Sequence, residues 1–415
     1  MGKESVYGVI QRLVTAEHPL QGVRSLVERV WRAATTSTEE DDKGATRIAS
    51  IESFRVLAIF AVIVLHTGFV TSLSRSADGN FLIVLTGYLV WWVAVPYFFI
   101  TAGYFFRQSV LKGRNPVAIL REYVSPLTGI LVVWLSIYIV IPPSWPAEVF
   151  HHGLAQTFGA TGLKNIQLLL TQHITLFLEG HRPVWHLWFL PALMVSMAAL
   201  AMIAIFQLER YLVPLILSLY VLALIEEISA GYFPHTFHVG TWVGAILLTT
   251  IGYWVGDREQ PTVGMAYGLI MGGYAFALLE GTIIHTMTHS SSQAIQDHIY
   301  LGGVALGLGI FLLALAKPEL GRSTPFPFLA RFTLGVYVTH IFVMYTLSPI
   351  FWKLHIGGPL GSVVFAIPVY ACSVLLTYAL TQSPITRCLV TKPTWKIFLL
   401  PVRSYRWLRK QSATP

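Results

Sequence analysis

From residue 51 onward the apolar positions of this chain neither alternate nor fall three and four apart. They run on in long blocks broken by short polar segments. Ten blocks stand out, at 51–71, 82–106, 122–141, 185–206, 211–229, 239–256, 261–284, 299–316, 328–350 and 361–382. A helix needs about 20 such residues to cross the hydrocarbon core of a bilayer. A span in lipid must satisfy its own backbone, which a helix does. The pattern therefore predicts an all-α, polytopic integral membrane protein of about ten transmembrane helices.

Ahead of the first block the pattern changes. Ile10, Leu13 and Val14, then Val23, Val27, Val30 and Trp31, recur at helical spacing among Arg12, Arg24, Arg29 and Arg32. This predicts either an amphipathic helix lying on the membrane surface or a partly ordered extension. The polar run "TTSTEEDDKGAT" follows as a linker. The organisation expected is an extension over 1–48, a membrane domain over 49–386 and a basic tail over 387–415. No signal-peptide core precedes residue 48, so no cleavage is expected.

Composition agrees with the pattern. The chain has 415 residues, 54% hydrophobic and 12% charged, where soluble domains carry about 25% charged residues. The net charge of +8 lies beside apolar blocks, as at the cytoplasmic ends of membrane helices and unlike a nucleic-acid surface. Arg107, Lys112, Arg114 and Arg121 follow the second block, and seven Lys and Arg residues lie in the tail from Arg387 to Lys410. The opposite connections hold only Arg75, Lys164, Arg182 and Lys353. The bias puts both termini in the cytoplasm of a multi-pass cell-membrane protein, the inner membrane if the source is Gram-negative. Cys372 and Cys388 show neither metal-ligand spacing nor a disulfide framework. "GMAYGLIMGG" sets Gly264, Gly268 and Gly272 on one helical face, a pattern expected to pack closely on a neighbouring helix.

Titratable groups inside apolar blocks are costly, and each is a candidate for function. "RVLAIFAVIVLH" holds ten apolar residues between Arg55 and His66. Eleven residues make about three turns, so both side chains project from one face, roughly 16 Å apart along the axis. An imidazole can take or give a proton near neutral pH, which suits a general base; it can equally be a packing histidine bonded to a carbonyl. In "VPYFFITAGYFFRQ", Pro96 is expected to kink the second block, and Thr101, Ala102 and Gly103 form a small-residue patch. Arg107, Lys112, Arg114 and Arg121 just beyond it can hold phosphates, or can simply be the positive-inside signal. In "EGHRPVWHLWFLPAL", Glu179, His181, Arg182 and His186 interleave with Trp185 and Trp188. That mixture suits a sugar, and it also suits a membrane interface. In "RFTLGVYVTH", Tyr337 and His340 are three apart and share a face. Glu226, Glu227 and Glu280 lie near the ends of blocks and are expected to be exposed unless the fold turns them inward.

These four segments, in this order, resemble the membrane-bound acyltransferase-3 family over residues 47 to 390. "SIESFRVLAIFAVIVLH" is similar to the first family helix, in which ten residues separate an Arg and a His. "VPYFFITAGYFF" is similar to the second helix, "WHLWFLPALMV" to the start of a middle helix, and "TLGVYVTH" to a late one, on the side of the family that acetylates polysaccharides and their lipid-linked precursors. There are departures. Glu52 stands where the family usually has Asp. Ala118 and Val124 flank Arg121 where an Arg-x-x-Arg is usual. Gln382 replaces a common Glu.

The resemblance implies transfer of an acyl group, usually acetyl from acetyl-CoA as co-substrate, to a hydroxyl of an extracytoplasmic glycan or glycolipid. No tightly bound cofactor and no metal are implied. Arg55 and His66 would be the catalytic pair, and Arg107, Arg114 and Arg121 would face the coenzyme phosphates. His186, Trp188, Arg182, Tyr337 and His340 would meet the acceptor. Two other classes fit the same pattern: a transporter or exporter of a glycan or lipid-linked sugar, and a non-catalytic membrane partner of a polysaccharide synthase.

Overall fold

The computed structural model describes residues 48–142, 144–171, 185–230, 239–288, 300–354 and 356–391. The expected N-terminal amphipathic helix, the basic tail, and Arg182 with Glu179 and His181 lie outside the described residues. Within them every regular element is helical. In chain order these are α1 (Ala49–His66), α2 (Phe69–Ser76), α3 (Phe81–Trp92), α4 (Ala94–Leu111), α5 (Pro116–Val140), α6 (Trp145–His152), α7 (Leu154–Thr171), α8 (Phe189–Ile205), α9 (Leu212–Ala230), α10 (Val239–Val255), α11 (Val263–Thr288), α12 (Leu301–Ala316), α13 (Phe326–Leu329), α14 (Thr333–Lys353), α15 (Gly358–Thr381) and α16 (Pro384–Arg387).

Each of the ten apolar blocks falls on helix. By length and composition, seven spans among the described residues can cross a membrane, while Trp242–Val255 and Leu301–Ala316 are apolar but shorter. The all-helical membrane class therefore stands, with seven candidate spans among the described residues. The second block is one span of two helices, Phe81–Leu111. It steps at Val93, three residues before Pro96. Pro96 has no amide proton to give the carbonyl of Trp92, so the ladder loses a bond at that turn.

Helix α1 lies at the centre, packed against α3, α4, α12, α14 and α15. Its start is tied to the end of α12, where the Ser50 hydroxyl donates to the Ala314 carbonyl at 2.5 Å. Its first turn is also tied to α4, where the Tyr97 hydroxyl donates to the Ile51 carbonyl at 2.9 Å. Its end is set by Gly68, whose φ of 84° lies in the left-handed region that favours glycine. The chain turns there, so His66 is the last residue of α1. The Thr67 hydroxyl then donates to the Ser362 carbonyl at 2.9 Å, fixing the turn against α15.

Two helix pairs approach unusually closely. A Cβ added at Gly103 of α4 would come within 2.0 Å of the Thr249 carbonyl oxygen, and one at Gly252 of α10 within 2.0 Å of the Ile100 oxygen. Backbone meets backbone there because neither residue has a side chain, the device that membrane helices use where burial gives little drive. The second pair is α11 on α12, where a Cβ at Gly302 would lie 2.1 Å from the Ala277 nitrogen and one at Gly273 2.6 Å from the Leu306 nitrogen. This corrects the expectation for Gly264, Gly268 and Gly272, around which an added Cβ meets nothing within 4 Å among the described residues. The glycine that packs is their neighbour Gly273, one residue round the helix. Spacing of four identifies a face, but not which face is covered.

Glu280 is turned inward. Its carboxylate accepts from the Leu301 amide at 2.9 Å, the Gly302 amide at 3.0 Å and the Tyr220 hydroxyl at 2.7 Å. It thus caps the start of α12, where amides have no partner in their own helix and the helix dipole favours an anion. Glu280→Ala is expected to cost about 2 kcal/mol, seen as a lower melting temperature of the detergent-solubilised protein. An unchanged melt would show that water replaces the cap.

Candidate functional site

Five helices each contribute a stripe of side chains at helical spacing to one elongated cavity of about 500 Å³. From α1 come Arg55, Ile59, Val62 and His66, the positions i, i+4, i+7 and i+11. From α4 come Phe98, Thr101, Ala102, Phe105 and Ser109. Arg114 and, from α5, Ile119, Glu122 and Tyr123 close one end. His186 and Trp188, with Phe189 of α8 and Tyr337 of α14, line it beside His66. The Arg55–His66 stripe therefore faces a shared space. Polar groups gather at its two ends, and aromatic and aliphatic walls separate them.

At the arginine end both guanidinium groups have acidic partners. Arg55 donates to the carboxylate of Glu52 at 3.2 and 3.3 Å, and Arg114 lies 2.5 Å from Glu122. Arg55 keeps 36% of its side-chain surface exposed and Arg114 44%. Both can exchange a carboxylate for another anion, because a partly solvated ion pair is worth little. Arg107 and Arg121 are not in the cavity lining. Arg107 points away into a clasp between α4 and α10. It reaches Glu209 at 3.1 Å, the Tyr253 hydroxyl at 3.0 Å and Asp257 at 3.1 Å, and it is 11% exposed. Beside it, Gln108 donates to the Gly256 carbonyl at 2.9 Å. Arg121 is exposed on α5.

The histidine end is a cluster that no single sequence segment contains. The His66 and His340 rings stack, with centroids 5.2 Å apart and planes 12° apart. His186 meets the edge of His340 at 5.6 Å. His186 and His340 are buried, at 1% and 0% exposure. Tyr337 donates its hydroxyl to the His186 backbone carbonyl. Tyr138 packs edge-on against His186 at 4.6 Å. Among the described residues, no group of three or more His, Cys, Asp or Glu is arranged to hold a metal ion.

Of the residues singled out from sequence, Arg55, His66, Arg114, His186, Trp188 and Tyr337 share the cavity. His340 stacks on His66 and is not in the lining. Missed altogether were Tyr138, Tyr123 and Glu122. For Glu122 and Tyr123 a signal was present: Ile119, Glu122, Tyr123, Pro126 and Leu127 recur at three and four, putting polar groups on one stripe of an otherwise apolar helix. In "VPYFFITAGYFFRQ", Phe98 and Phe105 recur with Thr101 and Ala102 at helical spacing and form a wall of the cavity.

The cavity offers the imidazoles of His66 and His186 at one end and the guanidinium groups of Arg55 and Arg114 at the other. An imidazole in a largely apolar cavity can accept a proton or an acyl group, and arginines can hold an anionic substrate. No match was found among curated proteins or among solved structures. The profile of the acyltransferase domain matches residues 48–382, which takes in all five helices that line the cavity. The protein is therefore a membrane acyltransferase of the acyltransferase-3 family.

Proposed function

We propose that this acyltransferase moves an acetyl group from cytoplasmic acetyl-CoA to a hydroxyl of an extracytoplasmic glycan or glycolipid, with His66 as the reacting histidine. The observation that carries the reading is the single cavity lined by both Arg114 and His66. A donor with a phosphorylated head and a long, thin thioester arm fits a space with cations at one end, a histidine at the other, and aromatic and aliphatic walls between. A bilayer core is about 30 Å thick, so substrates arriving from opposite faces must meet inside it.

In this reading Arg114 and Arg55 bind the coenzyme phosphates or orient its arm, displacing Glu122 and Glu52. The acceptor hydroxyl approaches past Trp188 and His186. A His66 ring nitrogen takes the hydroxyl proton as the oxygen attacks the thioester carbonyl. The carbon–sulfur bond breaks, and the thiolate leaves with the proton that His66 returns. In the covalent variant the same nitrogen attacks first and carries the acetyl group to the acceptor. Both routes need His66 on the cavity wall. Ten crossings, both termini in the cytoplasm and a cell-membrane location remain part of this proposal. In a Gram-negative source the location would be the inner membrane.

The test uses membranes containing the full chain and radiolabelled acetyl-CoA. Base-labile label should appear in non-protein, carbohydrate-containing material, with release of the free thiol. Wild-type protein that neither binds acetyl-CoA nor releases thiol would refute the donor assignment, and a transporter would behave in that way. A narrower expectation concerns Arg114→Ala. It should raise the KM for acetyl-CoA about tenfold, equivalent to about 1.4 kcal/mol, with little change in kcat. The kinetic comparison is with Arg121→Ala, which lies outside the cavity and should change KM less.

A further inference from the structure

Helix α14 carries His340, and a side chain from another helix reaches into the turn that holds it. The Tyr138 hydroxyl, from α5, donates to the Val338 carbonyl at 2.7 Å and accepts from the Phe342 amide at 3.1 Å. Those two groups face each other across one rung of the helical ladder, and that rung spans His340. A hydroxyl inserted at a rung is a recognised cause of local distortion in helices. Tyr138 is itself 1% exposed, so the contact is made in a dry interior.

His340 is held in one ring orientation. Its Nδ1 lies 2.6 Å from the Tyr337 carbonyl and 3.2 Å from the Val336 carbonyl. Both partners only accept, so Nδ1 carries the proton and Nε2 of the neutral ring is the lone-pair nitrogen. Among the described residues that Nε2 has no hydrogen-bond partner, an expensive condition for a buried polar atom. The same ring stacks on His66. A ring fixed in this way and stacked on the reacting imidazole steadies that imidazole in one rotamer.

We propose that Tyr138 is a positioning residue that acts through His340. Its hydroxyl sets the turn of α14 that presses the His340 ring onto His66, and this contact raises the reactivity of His66 toward acyl donors. The proposal rests on His66 being the reacting histidine, but it needs neither acetyl-CoA nor any particular acceptor.

The test is the rate at which diethyl pyrocarbonate modifies His66, followed by peptide mass spectrometry on the full chain in detergent micelles. In that reaction an imidazole nitrogen bonds to the reagent's carbonyl carbon. The anhydride carbon–oxygen bond breaks, and ethyl carbonate leaves and takes up the ring proton. Four proteins are compared: wild type, Tyr138→Phe, His340→Asn and the double variant, with His285 as internal reference. Tyr138→Phe and His340→Asn are each expected to slow modification of His66 about fivefold, in the range for residues in contact. The double variant is expected to be no slower than His340→Asn alone, and the rate at His285 should not change. A purely structural role for Tyr138 would lower the melting temperature while leaving the His66 rate unchanged, and that result overturns the proposal. Additive losses in the double variant overturn it too. If Tyr138→Phe does not fold, an unchanged His66 rate in His340→Asn is enough to refute the idea. Absence of acetyl-CoA turnover would instead count against the donor assignment and leave these rates readable.

Discussion

His66→Ala is expected to lower acyl transfer by at least about 10²-fold, the lower end of what a positioned acid–base group contributes. If the histidine carries the acyl group covalently, the loss should reach the background rate. Expression and melting temperature should stay near wild type. His66 is the last residue of α1, and its ring fronts the cavity rather than filling a helix crossing. Removing it widens a space that already exists, so the cavity cost that follows truncation in a close-packed core should be small. The measurement is label transfer from acetyl-CoA in membranes, normalised to folded protein. Full activity in His66→Ala would end the assignment. Loss of both activity and folded protein would show that the ring is a packing element, the bland alternative for a buried histidine. His66→Gln separates the two further, since it restores bulk and hydrogen bonding but no proton transfer. It should fold and remain inactive.

Gly252→Leu should be the most damaging single change to the scaffold. A Cβ alone would sit 2.0 Å from the Ile100 carbonyl oxygen, with the carbonyl carbon at 2.8 Å. The neighbouring atoms are backbone, so no rotamer change can make room. The α4–α10 crossing has to open, and with it go the partners that Arg107 finds on Glu209, Tyr253 and Asp257. Overpacking commonly costs about 1–3 kcal/mol, and a backbone clash on both sides of the crossing should exceed that range. Because α4 also carries Phe98, Thr101 and Phe105 into the cavity, activity should fall along with stability. Thermal melting in detergent and residual transfer activity provide the two readouts. Gly268→Leu is the control on a membrane helix. Around Gly268 an added Cβ meets nothing within 4 Å, and that variant should melt as wild type does. If both glycine variants melt alike, the close approach is not what holds α4 to α10.

Much of the protein was legible before any fold was known, because the strongest signals were local. A run of apolar residues has to satisfy its backbone within itself, so helix was the forced answer at every block. The eleven-residue separation of Arg55 and His66 placed them on one face by helical geometry alone, and both line the cavity. Spacing could also have shown the stripes on α4 and α5 that form its walls. It could not say how many helices cross the membrane. A short apolar helix such as Leu301–Ala316 and a kinked span such as Phe81–Leu111 read much alike in one dimension.

Tertiary structure decided what the local signals left equal. Arg107 and Arg114 are both cations just after an apolar span, yet one is taken up by Glu209 and Asp257 while the other fronts the cavity. Gly272 and Gly273 are chain neighbours, yet only Gly273 meets another helix. His66, His186 and His340 are scattered over 275 positions and come together through α1, the short turn before α8, and α14. The hydroxyl that reaches the turn of His340 belongs to Tyr138, 200 residues from its acceptor Val338. The physical reason is the same in each case. Periodicity specifies which side chains share a face of one helix, and the cost of an unpartnered polar group says that each must meet something. Which face meets which neighbour depends on how closely two backbones can approach, and that is a property of both helices together.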